Sequence, residues 1–181
     1  MNPEWETLKA TVEILESLGM RYMLTGSLAK IYYSVPRMTR DIDIVIELEE
    51  SDVAGLVAAF RGSYYIDSDT VSEALGRRSM FNVVHSKYLV KVDFIVRKGD
   101  TFRSLEFQRR KQVNLGELIL WIVSPEDLII SKLFWAKDSL SELQLGDVRD
   151  LLKSVRGLDR AYIEEWVEKL GLRHVFERLS T

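Results

Sequence analysis

Two periodicities divide this chain. From Glu4 to Leu18 apolar residues recur every three or four positions, at Trp5, Leu8, Val12, Leu15 and Leu18, the spacing of one helix face. Gly19 suits the position just past its end. Arg21 to Leu24 reads as a short strand leading into Gly26-Ser27. Ser27 to Ser34 is then a short apolar helix that Pro36 terminates. Asp41 to Leu48 is a strand, because a β-branched run is bounded there by polar residues. Successive strand side chains point to opposite faces, so Asp41 and Asp43 share one face and Ile42, Ile44 and Ile46 the other.

Ser51 suits the N-cap of a helix running to about Phe60, and Gly62 stops it. Tyr64 to Ile66 is a short edge strand, and Asp67 to Leu75 a loop with a brief helix. Ser79 to Val84 and Tyr88 to Val96 alternate well and form a hairpin around His85-Ser86-Lys87. On its second strand Val90, Val92, Phe94 and Val96 share one face, and Lys91, Asp93 and Ile95 the other. Thr101 to Phe107 is helical, and Lys111 to Val123 forms one or two short strands around Asn114-Leu115-Gly116. Ser124-Pro125-Glu126-Asp127 is a strong helix start, with Ser at the N-cap, Pro at N1 and an acid at N3. Helices are expected over Pro125 to Lys137, from Ser141 or Gly146 to Ser154, over Asp159 to Leu170 and over Arg173 to Leu179. The class is α+β, a mixed α/β core over 1–123 followed by a helical region over 124–181 packed on it.

Composition narrows the function classes. Of 181 residues, 46% are hydrophobic and 10% aromatic, enough for a real core. No run of about 18 apolar residues occurs, so no membrane span is expected. The N-terminal stretch lacks the basic and apolar regions of a signal peptide. The absence of cysteine excludes disulfides, Fe–S clusters and thiolate zinc sites, and fits a cytoplasmic protein. A net charge of −3 gives no global nucleic-acid signal and leaves room for a local basic patch.

The candidate chemistry lies on three pieces. Gly26-Ser27 opens a helix whose N-terminal N–H groups suit an anion. Asp41 and Asp43 project together, a pairing suited to a hard divalent cation that also takes phosphate oxygens. Asp93 sits mid-strand, where a buried carboxylate is costly unless it reaches a metal, a cleft or a cation. Three carboxylates on two neighbouring strands suit two-metal nucleotidyl transfer: two hold the ions, and the third ligates one and draws a proton from the attacking hydroxyl. Arg37 and Arg40 flank them, and Arg77-Arg78 and Arg109-Arg110-Lys111 add charge that either holds phosphate or is ordinary surface.

Gly26-Ser27, Asp41-x-Asp43 and the later strand with Asp93 together resemble the signature of the nucleotidyltransferase fold of the DNA polymerase β superfamily. Val35-Pro36-Arg37-Met38-Thr39-Arg40-Asp41-Ile42-Asp43 is most similar to its AbiEii-like and MenT-like branch, with an Arg-x-Thr-x-Asp-hydrophobic-Asp pattern. The resemblance implies a nucleotidyltransferase-type mixed sheet, an NTP substrate and Mg²⁺ as two ions, with Mn²⁺ as a substitute. It implies that Gly26, Ser27, Arg37, Thr39 and Arg40 surround the phosphates and that Asp41, Asp43 and Asp93 are catalytic metal ligands. The helix with Ser131-Lys132 resembles that branch's lysine helix, so Lys132 would contact phosphate. Gly146-Asp147-Val148-Arg149-Asp150 resembles its later acidic pair, so Asp147 or Asp150 would be a further polar or catalytic group.

Plainer roles compete at each position. Lys132 can snorkel to solvent, Asp147 and Asp150 can pair with Arg149 or Lys153, and Asp93 can pair with Lys91. His85 belongs to a hairpin turn, and Trp121, Trp135 and Trp166 to the core. The leading expectation is an enzyme moving a nucleoside monophosphate from an NTP to an acceptor: a tRNA 3′ end, other RNA, a protein or a small molecule. It is compatible with the toxin of a toxin–antitoxin pair, with an antitoxin or a second copy as partner. The alternatives are a non-catalytic nucleotide- or partner-binding module, and an interaction protein docking through Ser124 to Thr181.

Overall fold

The computed structural model describes residues 2–180; Met1 and Thr181, the outer ends of the N-terminal stretch and of the helical region, lie outside the described residues. Helix α1 (Pro3–Ser17) starts under the Asn2 side chain, which accepts from the Glu4 and Trp5 N–H groups. Strand β1 (Tyr22–Thr25) is buried throughout and runs straight into α2 (Gly26–Tyr33). Then come β2 (Asp41–Ile46), α3 (Glu50–Phe60), β3 (Tyr64–Tyr65), α4 (Ser68–Arg77), β4 (Met80–His85) and β5 (Lys91–Val96). Helix α5 (Thr101–Gln108) and strands β6 (Lys111–Leu115) and β7 (Leu118–Ile122) complete the sheet. Only helices follow: α6 (Pro125–Ala136), α7 (Glu142–Ser154), α8 (Arg160–Lys169) and α9 (Arg173–Glu177), then a 3₁₀ turn.

The seven strands lie in the order β3-β4-β5-β2-β1-β7-β6. The centre is mixed: β2 runs antiparallel to β1 and parallel to β5, and β1 runs parallel to β7. This is the mixed α/β architecture the alternation predicts. One face of β2 and β5 carries Ile42, Ile44, Ile46, Val92, Phe94 and Val96, all fully buried. There Phe94 meets Phe60 of α3 edge-on and stacks on Phe81 of β4. The opposite face of the same strands carries Asp41, Asp43 and Asp93 with Val45, Lys91 and Ile95, the division that period-two alternation requires. Helix α6 packs against α2, α7 and α8, so the helical region is joined to α2.

Several local expectations are corrected. The Asp67 segment is not a loop with a brief helix but the ten-residue α4. Asp67 caps it by accepting from Thr70, and Val71, Ala74 and Leu75 bury at helical spacing. Helix α3 is capped by Glu49 rather than Ser51, through a reciprocal box with Asp52. Strand β5 begins at Lys91, three residues later than Tyr88, because Leu89 takes φ +54° in the turn. His85 closes β4 rather than lying in the turn, buried between the rings of Tyr64 and Tyr88. Trp166 is in the core and Trp121 half-buried, but Trp135 is 62% exposed. Positions Leu133 and Ala136 of α6 face the core, so its neighbour Trp135 is turned outward.

Candidate functional site

The register of the central strands assembles the site. In the β2–β5 pair Asp43 lies opposite Asp93 and Asp41 opposite Lys91, while in the β1–β2 pair Thr25 lies opposite Asp43. Cross-strand partners share a face, so Asp41, Asp43, Lys91 and Asp93 form one patch beside the β1–α2 turn. Gly26 takes φ +64°, and a β-carbon there would lie 1.9 Å from Asp43 Oδ2. The Asp43 carboxylate therefore rests directly on Gly26, where the Ser27 N–H donates to it. Burial pushes the Asp43 carboxyl above its ordinary range, and the neighbouring charge of Asp93 pushes it further.

Asp93 is only 6% exposed. Its Oδ2 accepts from Lys91 Nζ at 2.8 Å, while its Oδ1 is buried with no hydrogen-bond partner. Lys91 Nζ also stands 3.6 Å from Asp41 Oδ1. The Asp93 hydrogen bond holds the Lys91 ammonium above its usual range. The plain pairing of Asp93 with Lys91 is thus present within the carboxylate patch. Among the described residues no group of three His, Cys, Asp or Glu side chains is arranged to hold a metal ion. Asp43 and Asp93 come together, and Asp41 is exposed and turned toward Lys91.

A second network locks the turn from behind. Asp147 of α7, 2% exposed, accepts from Arg37 Nε and Nη2, both at 2.9 Å, and from Lys132 Nζ at 2.8 Å. Burial works against its ionisation, but these cations outweigh burial and hold its carboxyl below the ordinary range. Arg37 Nη2 also donates to Ser27 Oγ at 2.7 Å. The Asp147 network therefore ends on the residue that binds Asp43. Asp150 pairs with Lys30 Nζ at 2.8 Å rather than with Lys153, and Arg149 pairs with Glu142. Lys132 does not snorkel: it is 3% exposed and also donates to Gln144 at 3.1 Å. Thr39 makes a long 3.4 Å bond to the Asp41 carbonyl, and Arg40 is exposed outside both networks. Arg77 pairs with Glu73 on α4, and Arg109 with Asp127.

A cavity of about 180 Å³ joins the two networks, with Gly26, Ser27 and Asp43 on one element group and Lys132, Trp135 and Gln144 on another. Three residues of the cavity and of the network behind it escape a reading of the sequence. Trp135 carried a signal, three residues beyond Lys132 and hence on the same helix side. Lys30 is 1% exposed; a lone lysine in the apolar run of α2 was its only mark. Gln144 carried none.

No family model matches this chain, and no curated protein matches it by sequence. Solved structures do resemble it. The lincosamide antibiotic adenylyltransferase LnuA, with lincomycin bound, is 16% identical, with a TM-score of 0.59 over 83% of this chain and 97% of its own. ANT(2″)-Ia in complex with adenylyl-2″-tobramycin is 12% identical, with a TM-score of 0.61 over 94% of this chain and 97% of its own. An antigenic nucleotidyltransferase-like protein from Paracoccidioides brasiliensis is 19% identical, with a TM-score of 0.55 over 97% and 91%. The fold is the nucleotidyltransferase type.

Proposed function

We propose that this chain transfers a nucleoside monophosphate from an NTP to a hydroxyl acceptor with release of pyrophosphate. The carrying observation is the Asp43–Asp93 pair set against the Gly26-Ser27 helix start. The donor chemistry fits a divalent cation, although the side chains stand around Lys91 rather than around an ion: the donors are all carboxylate oxygens, Asp93 Oδ1 is buried without a partner, and a cation, the Lys91 ammonium, already lies between two of the carboxylates. Asp41, Asp43 and Asp93 would hold Mg²⁺ or Mn²⁺, which when bound neutralises triphosphate charge and acidifies the attacking hydroxyl.

The remaining groups orient and move protons. The α2 N-terminus and Ser27 receive the β- and γ-phosphates, with Arg37, Thr39 and Arg40 along the loop. Lys132 lies in the cavity wall and would face the phosphates as a positive charge. Trp135 offers the nucleobase an exposed ring to stack on. The acceptor oxygen attacks the α-phosphorus, the bond to the β-phosphoryl oxygen breaks, and Asp93 takes the hydroxyl proton. Positioning and charge stabilisation supply the rate, as in other phosphoryl transfers.

For the acceptor we favour a hydroxyl-bearing small molecule, since two of the solved structures that this chain resembles are complexes with an antibiotic or its adenylylated product. The Arg37-Met38-Thr39-Arg40 pattern of the AbiEii-like and MenT-like branch supports a tRNA 3′ end, and with it a toxin with an antitoxin partner, as the second reading. Radiolabelled NTPs with Mg²⁺, aminoglycosides, lincosamides and bulk tRNA test both. Label moving to one acceptor class with wild type and not with Asp43→Ala supports the transferase. Nucleotide binding by calorimetry without pyrophosphate release from any acceptor supports the non-catalytic module instead.

A further inference from the structure

Lys91 is built into the carboxylate patch rather than placed near it. Parallel pairing sets it opposite Asp41, and its two-residue offset from Asp93 puts both on one face. Its ammonium spans the first and third carboxylates, 3.6 Å from Asp41 and 2.8 Å from Asp93. It uses the Asp93 oxygen Oδ2 and leaves Oδ1 buried and unpartnered. A divalent ion shared by Asp41 and Asp93 would compete with this ammonium for the same two groups. The Lys91 side chain is 40% exposed, so its head can leave toward solvent on a flexible four-carbon stem.

We propose that Lys91 is an internal counter-cation of the nucleotide-free site, which a divalent ion must displace before Asp41 and Asp93 can ligate it. The ion then enters efficiently only with the triphosphate, whose negative charge adds ligands and compensates the displaced pairing. The link to triphosphate rests on the transferase reading above; the displacement itself does not. The device keeps the three carboxylates from repelling one another when no nucleotide is present, and it couples metal capture to donor capture.

The test is Mn²⁺ binding to the nucleotide-free full chain, read from the free-ion electron paramagnetic resonance signal. Lys91→Met removes the charge and keeps the stem; Lys91→Arg keeps the charge; Lys91→Gln replaces the Met variant if that one does not fold. Lys91→Met or Lys91→Gln is expected to bind Mn²⁺ at least about tenfold more tightly than wild type, the lower end of what one unit charge exerts at this range in a half-exposed site. Lys91→Arg is expected to stay close to wild type. A non-hydrolysable ATP analogue is expected to raise Mn²⁺ affinity by a larger factor in wild type than in Lys91→Met. Equal or weaker Mn²⁺ binding by both neutral variants overturns the displacement, and an equal nucleotide effect in wild type and variant overturns the coupling. Nucleotidyl transfer by a wild type whose Mn²⁺ affinity matches the neutral variants removes the Lys91 proposal alone. Tighter Mn²⁺ binding by the variants with no transfer to any acceptor removes the transferase reading alone.

Discussion

Gly26 and Gly19 form a matched pair for asking whether the Asp43 seat matters. Both take φ +64°, a conformation that costs an L-residue about 1–2 kcal/mol. Nothing lies within 4 Å of a β-carbon at Gly19. Gly19→Ala should therefore lose only that strain, lowering Tm by roughly 2–8 °C in a chain of this size, with nucleotidyl transfer intact. At Gly26 the same β-carbon would lie 1.9 Å from Asp43 Oδ2, 2.6 Å from its Cγ and 2.8 Å from its Cβ. Rotating the Asp43 side chain moves the carboxylate but not its Cβ, so α2 or β2 itself must shift. A displacement on the order of 1 Å at reacting groups costs about 10²-fold in rate. Gly26→Ala should thus lower kcat/KM about 10²-fold beyond Gly19→Ala, with a comparable or greater loss of Tm. Steady-state transfer kinetics and thermal melts on both variants decide it. A Gly26→Ala protein as active as Gly19→Ala would refute the placement of Asp43 in the reaction.

Three further outcomes follow from the charge networks and the cavity. Asp147→Asn leaves Lys132 and Arg37 facing each other without their shared carboxylate, and breaking a buried ion pair costs about 3–5 kcal/mol, or roughly 6–20 °C in Tm. Because the Asp147 carboxyl is held below its ordinary value, that stability is present at neutral pH and is lost as pH falls from about 4 downward, so the wild-type advantage in melts should shrink on that acid side. Asp43 has the opposite sign: its carboxyl is pushed up by burial, so its ionisation opposes folding, and Asp43→Asn should raise Tm at pH 7 while abolishing transfer, the gain shrinking as pH falls toward about 4 and absent below it. Trp135→Ala should weaken NTP binding by calorimetry roughly five- to hundredfold, the range of base–aromatic stacking, with little change in Tm because the ring is exposed.

What could be read from the sequence follows from the range of each interaction. The faces of β2 and β5 were legible because alternation is local: Asp41, Asp43, Lys91 and Asp93 had to share a side once both segments were strands. The start of α6 was legible for the same reason, since Ser124 accepts from the Asp127 N–H within one turn. The partners of the buried cations were not. Lys30 and Asp150 are 120 residues apart, and Arg37 and Asp147 are 110 apart. No spacing rule links them, so local pairing of Asp150 with Lys153 looked equally sound. Trp135 failed differently. Helical periodicity assigns a side, but whether that side meets core or cavity depends on how α6 crosses α2, and only tertiary packing decides that.

The two networks explain each other. A buried cation is costly unless paired, and Lys30, Arg37 and Lys132 all converge on the α7 carboxylates Asp147 and Asp150. Replacing them with apolar residues would serve stability as well or better. Their positions argue for another use, because Arg37 also holds Ser27, and Ser27 also holds Asp43. The helical region thus fixes a helix N-terminus and the buried Asp43 carboxylate at one point, with positive charge behind them and Asp93 beside them. An uncharged packing could hold α2 in place, but it would not leave Lys132 in the cavity wall across from Asp43. Positive charge behind, carboxylates in front and an exposed ring at the edge form the polarity that a nucleoside triphosphate carrying a divalent ion requires.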